Sequence, residues 1–327
     1  MNDTVLEVRD LSVQYVDGPK RVKAADGVSF SLKRGGVLAL VGESGCGKTT
    51  VALAVLGLLP HAGQVMGGEV RFEGRDLLSM RPDDLRRVRG REISMIFQDP
   101  AGGLNPVLSV GQQVEEIITA HTPLTRQEAR RMVLDALHRV GLAEPDRLTK
   151  QYPHELSGGM SQRVLIAIAT VLNPTVIIAD EPTSALDVTV QAGILSELER
   201  LRSERGVSIL LITHDLGVVA QMADEVTVLY AGRVAEDGPT REVLRRPRHP
   251  YTWSLLETLP RLDRERRPLE AIRGAPPDLA ELPDECAFLP RCRKAIMTCR
   301  TTASPAPAEA APGHRVACYN PVFHPEE

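Results

Sequence analysis

Eight consecutive residues, Gly42-Glu43-Ser44-Gly45-Cys46-Gly47-Lys48-Thr49, match the pattern G-x-x-x-x-G-K-[ST] at every position. Closely spaced glycines let a strand turn sharply into a helix, leaving backbone N–H groups and the positive end of the helix dipole aimed at an anion. The flanks supply both elements. Val37-Leu38-Ala39-Leu40-Val41 reads as a short buried strand, and Thr50 to Leu59 as an apolar helix ended by Pro60. A chance glycine-rich turn is the competing reading, and both flanks weigh against it. In a phosphate loop of this kind Lys48 reaches the outer phosphates as a cation, and the Thr49 hydroxyl takes a place on a magnesium ion.

The 327 residues suffice for one large α/β domain with an appendage, or for two domains. A net charge of -4 gives no global field favouring nucleic acid. The longest apolar runs, such as Val51 to Leu59 and Val164 to Ala169, fall far short of the ~20 residues that span a bilayer. The N-terminus opens Met-Asn-Asp-Thr and passes directly into the strand-like Val5-Leu6-Glu7-Val8, without a signal-peptide pattern. The expectation is a cytoplasmic protein whose role in any transport would require separate membrane subunits.

Short alternating or apolar runs at Val5 to Leu11, Val28 to Leu32 and Glu69 to Phe72 predict an antiparallel sheet beside the nucleotide core. Tyr15 falls at a strand end there, where an aromatic ring could stack on a base or simply fill a surface. Glu92 to Phe97 reads as a buried strand ending at Gln98, and the prolines and glycines of Asp99 to Pro106 predict a loop. Thr125 and Glu128 make a capping box. Behind it Ala129, Met132, Val133, Ala136, Leu137 and Val140 share one helical face until Gly141, so a helical subdomain is expected over about 99–172.

Leu156-Ser157-Gly158-Gly159-Met160-Ser161-Gln162-Arg163 then opens a second anion-receptive helix start, with an apolar helix from Val164 to Leu172. Thr175 to Ala179 has the branching of a central parallel strand and delivers Asp180 and Glu181 at its C-terminal end, which suggests magnesium and water chemistry. Ser208 to Thr213 is another such strand and delivers His214, which taken alone reads sooner as a structural or exposed histidine than as a functional one. Beyond Gly238 the texture changes: eleven of the 24 prolines lie from Pro260 onward, so the tail is expected to hold short elements and long loops.

Taken in order, these motifs resemble the ATP-binding-cassette ATPases over roughly residues 5 to 245. The matches are the phosphate loop, Gln98, Leu156 to Met160, Asp180-Glu181, Ser184-Ala185-Leu186-Asp187 and His214. The resemblance implies an α/β fold with a mostly parallel P-loop core, an antiparallel β subdomain and the inserted helices. It also implies that Tyr15, Gly42, Glu43, Ser44, Gly45, Cys46, Gly47, Lys48, Thr49 and Thr50 bind ATP, and that Ser157, Gly158 and Gly159 bind the ATP of a partner cassette. Thr49, Gln98 and Asp180 are then the magnesium residues. Glu181, His214, Gln98 and Lys48 are the catalytic set, with Glu181 orienting or deprotonating the attacking water. Met160 departs from the glutamine common at its position, a change tolerated because the serine and glycines supply the phosphate contacts.

Gln98-Asp99-Pro100 with Leu104-Asn105-Pro106, His249-Pro250-Tyr251-Thr252, and Gly274 to Leu279 narrow the resemblance to ATP-binding subunits of bacterial dipeptide and oligopeptide importers. This implies a cassette over 1–245 and a C-terminal extension over 246–327. It also implies a second ATPase subunit, two transmembrane permease subunits, an extracytoplasmic peptide-binding protein, and a place on the cytoplasmic face of the membrane; no nucleic acid is expected. Cargo stays open, because ATPase subunits do not touch it. A soluble cassette acting on DNA or ribosomes is the competing class, disfavoured by the single cassette, the absence of a long heptad run and the negative charge.

Four of the five cysteines are spaced Cys286-x5-Cys292-x6-Cys299-x18-Cys318. A cytoplasmic setting weighs against disulfides, and four sulfurs could wrap a metal. The resemblance implies a [4Fe-4S] cluster; the spacing leaves iron–sulfur, zinc and free thiols open.

Overall fold

The computed structural model describes residues 3–184, 187–258 and 272–323. Ala185 and Leu186 of the Ser184 to Asp187 motif, and the prolines at 260, 268 and 325, lie outside the described residues. The chain forms two compact units. One comprises Met1–Val5, Leu32–Gly36 and Ser79–Ile212; the other comprises Leu6–Ser31, Val37–Leu78 and Thr213–Glu327.

In the second unit the expected antiparallel sheet is present. Strand Thr4–Asp17 lies between Lys20–Lys33 and Gly63–Phe72, with register running from Leu6 opposite Phe72 to Tyr15 opposite Gly63. Leu6, Val8, Leu11 and Val13 are buried, supplying the apolar side of the ladder across the irregularity between Arg9 and Ser12.

The strand Val37–Val41 is buried at all five residues, as expected of a parallel strand covered on both faces. It pairs in parallel with Glu225–Tyr230, which turns back antiparallel into Arg233–Pro239. Two tail strands, His314–Val316 and Ala308–Ala311, then continue the sheet beyond Arg233–Pro239. The tail elements are short, as expected, yet these two extend the cassette's own sheet. Runs of three and four residues carry too little alternation to be recognised as strands.

Glu236 fastens this edge. Its fully buried carboxylate accepts the backbone N–H groups of Arg248 (2.6 Å) and His249 (2.9 Å) and lies 2.6 Å from His314 Nε2. One side chain thereby ties the sheet, the connection after it and the tail. Tyr230, Tyr251 and Phe288 pack mutually beneath, with ring centroids 4.5–5.4 Å apart.

The first unit holds the parallel strands Ile93–Ile96, Val176–Asp180 and Ser208–Thr213, with Val176–Asp180 in the middle. Helices Val110–His121, Arg126–Arg139 and Gly158–Thr170 fill the stretch expected to be helical. Thr125 accepts the Glu128 N–H while Glu128 accepts the Thr125 N–H, the reciprocal box expected there, and Ser109 and Gln112 form a second one.

Two local expectations are corrected. Asp99 to Pro106 is not all loop: Pro100–Gly103 makes one helical turn, because proline at a first helical position forfeits no needed hydrogen bond. The helix after the phosphate loop is Lys48–Val55 and stops short of Leu59. Gly57 adopts φ 59°, and its N–H and that of Leu58 bond back to the Ala54 and Leu53 carbonyls, a Schellman ending inside an apolar run.

Candidate functional site: a phosphate loop and its supports

Strand Val37–Val41 delivers Gly42, and the loop ends at Gly47, the residue capping helix Lys48–Val55. Both glycines are required sterically. A Cβ on Gly42 would overlap the Leu229 carbonyl oxygen and one on Gly47 the Ala24 carbonyl oxygen, and Gly47 has φ 106°. The backbone is closed by Cys46 N–H to Glu43 O (3.2 Å) and held from outside by Gly232 N–H to Cys46 O (2.9 Å). Ser44, Gly45 and Thr49 are exposed while Gly42, Cys46, Gly47 and Lys48 are buried, so the loop shows one open polar face.

Lys48 Nζ donates to the carbonyls of Gly42 (2.8 Å) and Glu43 (3.1 Å), keeping the ammonium over the loop. Burial pushes the Cys46 thiol up from its usual pKa, with the Lys48 charge opposing, so this cysteine serves as a small apolar filler. Tyr15 lies with its hydroxyl 3.3 Å from Thr50 Oγ1, which brings two of the expected nucleotide residues together beside the loop helix.

The tail supplies a part of this site that the sequence did not announce. The Glu43 N–H donates to Tyr251 Oη (2.8 Å), and the Glu43 carboxylate takes both terminal nitrogens of Arg291, at 2.6 and 2.9 Å. Residues 208 and 248 positions away give no local signal of such contacts.

In the other unit, Asp180 ends strand Val176–Asp180 and is buried; Glu181 follows at φ 48°, its N–H bonded to Ile212 O (2.8 Å). The left-handed conformation is uncommon for a non-glycine residue and turns the chain sharply out of the strand. Ser157 caps helix Gly158–Thr170 by accepting the Met160 N–H (3.3 Å), leaving Ser157 and Gly158 exposed at the helix start. Gln162, buried one turn further, donates to Pro182 O (2.8 Å) and so couples that helix to the Asp180-Glu181-Pro182 turn. Gln98 is exposed beyond strand Ile93–Ile96, and His214 is exposed just after Thr213.

Cys286, Cys292, Cys299 and Cys318 line one small pocket of about 10 Å³. Burial raises the thiol pKa of Cys286 and Cys292 and pushes Cys318 up to about 11. The four sequence-expected thiols are thus gathered, but among the described residues no group of three or more His, Cys, Asp or Glu side chains is arranged to hold a metal ion. The expected iron–sulfur or zinc centre therefore has no preformed ligand group. Among the described residues no helix is long and apolar enough to cross a membrane.

A glycine-framed phosphate loop between a parallel strand and a helix defines the second unit as a P-loop nucleotide-binding fold, and the first unit separately carries an acidic pair at the end of a parallel strand. Comparison with known proteins is specific. The ABC transporter family profile matches residues 25–184, and that of the oligopeptide/dipeptide transporter C-terminal region matches residues 235–299. The chain is 46% identical over 298 residues to the dipeptide transport ATP-binding protein DppD of Bacillus subtilis, covering 91% of this chain and 89% of that one. It is 44% identical over 320 residues to the oligopeptide transport ATP-binding protein OppD of Escherichia coli, covering 98% and 94%. Among solved structures, the dimeric post-hydrolysis state of the ATP-binding cassette MJ0796 bound to ADP and Pi superimposes with a TM-score of 0.66. It is 29% identical and covers 72% of this chain and 99% of that one. The chain belongs to the ATP-binding proteins of the ABC transporters, in the family carrying the oligopeptide/dipeptide transporter C-terminal region.

Proposed function

We propose that this chain is the ATP-hydrolysing subunit of an importer of dipeptides or oligopeptides. The observation that carries the reading is the joining, in one chain, of a complete phosphate loop to the peptide-transporter C-terminal region. In this reading residues 1–245 are the cassette and 246–327 the extension. It works at the cytoplasmic face with a second ATPase subunit, two permease subunits and an extracytoplasmic peptide-binding protein.

Lys48 binds the outer phosphates, and the open face of Ser44 to Thr49 offers backbone N–H groups to them. Thr49, Asp180 and Gln98 are the oxygen donors that would hold magnesium, whose charge offsets that developing on the transferred phosphoryl group. Glu181 orients or deprotonates the attacking water, His214 contacts the terminal phosphate, and Tyr15 stacks on the base. Ser157, Gly158 and Gly159 face the nucleotide of the partner cassette, so two sites are shared across a closing pair. The dimeric cassette to which the chain is similar supports this arrangement.

The four tail cysteines are a soft donor set of the type that takes an iron–sulfur cluster or zinc, and their sulfurs would have to draw together around either. Anaerobic purification with metal analysis and a visible spectrum tests this, and a colourless, metal-free, folded chain refutes it. Purification of the chain from membranes tests the transport role. Recovery with two multi-span proteins and a binding protein that takes peptides is the expected result. A binding protein that takes nickel complexes or glutathione would change the cargo alone, and recovery on ribosomes or DNA would overturn the role.

A further inference from the structure

Glu43 is the centre of three separate attachments. Its carbonyl accepts from Lys48 Nζ (3.1 Å), its N–H donates to Tyr251 Oη (2.8 Å), and its carboxylate makes a two-pronged pair with Arg291 (2.6 and 2.9 Å). The pair is sheltered, the Arg291 side chain being 5% exposed and that of Glu43 22%. Arg291 is itself fixed: it donates to Arg273 O (3.0 Å) and Tyr230 Oη (3.3 Å) and lies over the Tyr230 ring, 5.8 Å from its centroid. Tyr251 is fully buried against Tyr230 and Phe288. Neither anchor is free to drift.

A carboxylate inside a loop that must receive a polyanion works against binding unless its charge is cancelled, and the cancellation is strongest where water is excluded. Arg291 supplies it. We propose that Arg291 and Tyr251 of the C-terminal region are positioning residues for the phosphate loop: Arg291 neutralises Glu43, and Tyr251 fixes its backbone, so that the Glu43 carbonyl holds Lys48 in place for nucleotide. The tail is then a working part of the ATP site. This rests on the reading of Gly42 to Thr49 as that site.

The test is MgATP binding by titration calorimetry on the full-length chain, with unfolding midpoints measured alongside. Arg291→Gln leaves the Glu43 charge uncompensated and weakens binding about tenfold. Glu43→Gln in the same chain removes that charge and restores affinity to within about threefold of wild type, a rescue that a purely structural role of Arg291 does not give. Tyr251→Phe keeps the buried ring, removes only the hydroxyl, and weakens binding severalfold; it carries the test should Arg291→Gln fail to fold. Wild-type affinity in both Arg291→Gln and Tyr251→Phe, or a loss in folded Arg291→Gln that Glu43→Gln does not restore, overturns the proposal. Lys48→Ala serves as the reference: unchanged binding there would overturn the phosphate-loop reading itself, and the clamp with it.

Discussion

Replacing Glu236 by alanine should unfasten the sheet edge that joins the cassette to its tail. The carboxylate is 0% exposed and accepts the N–H groups of Arg248 and His249, with His314 Nε2 as a third partner. Each buried donor left without an acceptor costs about 1–3 kcal/mol, so the three together predict a loss of about 3–9 kcal/mol. That is a large share of the ~5–15 kcal/mol by which folded domains are stable. Glu236→Gln keeps the shape and one acceptor oxygen, and should cost about half as much. Urea unfolding followed by circular dichroism measures both, and amide exchange at Arg248 and His249 should accelerate in parallel. A loss under ~1 kcal/mol for Glu236→Ala, with both amides still protected, would refute the reasoning, since three buried bonds cannot vanish at so small a cost.

Acid should weaken the same region through His249. Full burial holds its imidazole neutral, with a pKa lowered to about 4, while its Nδ1 accepts the Tyr251 N–H. The folded pKa lies below the ordinary value of about 6.5, so the stability is fully present above that pH and is lost as pH falls toward 4. His249→Gln should flatten that part of a stability–pH profile, and an unchanged profile would contradict it. Gly47→Ala should abolish nucleotide binding, because the new Cβ meets the Ala24 carbonyl and φ 106° is strained for any L side chain; wild-type affinity would contradict the loop geometry. Gln162→Ala breaks the bond to Pro182 O and should cost about 1–2 kcal/mol in unfolding while slowing turnover of the assembled transporter; full turnover would show that the turn is held by other means.

What could be read in the sequence was what is local. The phosphate loop, the strand before it, the Thr125 to Glu128 box and the strand delivering Asp180 and Glu181 each lie within a dozen residues, and each carries its own periodicity or turn chemistry. The sequence carries the loop helix on to Leu59 because the Val51 to Leu59 run stays apolar past Gly57, where the backbone, not hydropathy, stops the helix. The tail was harder. Its two sheet strands are too short to show alternation, and the Arg291–Glu43 pair spans 248 residues, so nothing near either residue announces the other. The cysteine spacing announced a cluster, and the four thiols do share a cavity, but spacing carries no information about whether their sulfurs meet at bonding geometry.

In the proposed function Glu181, placed in the left-handed region after the strand that ends in Asp180, is the residue that acts on the attacking water. The decisive measurement is phosphate release by the chain assembled with its membrane partners, comparing wild type with Glu181→Gln. Retained ATP binding with turnover reduced about a hundredfold or more is the predicted result, the size expected when a positioned proton acceptor is removed. Turnover equal to wild type would contradict it.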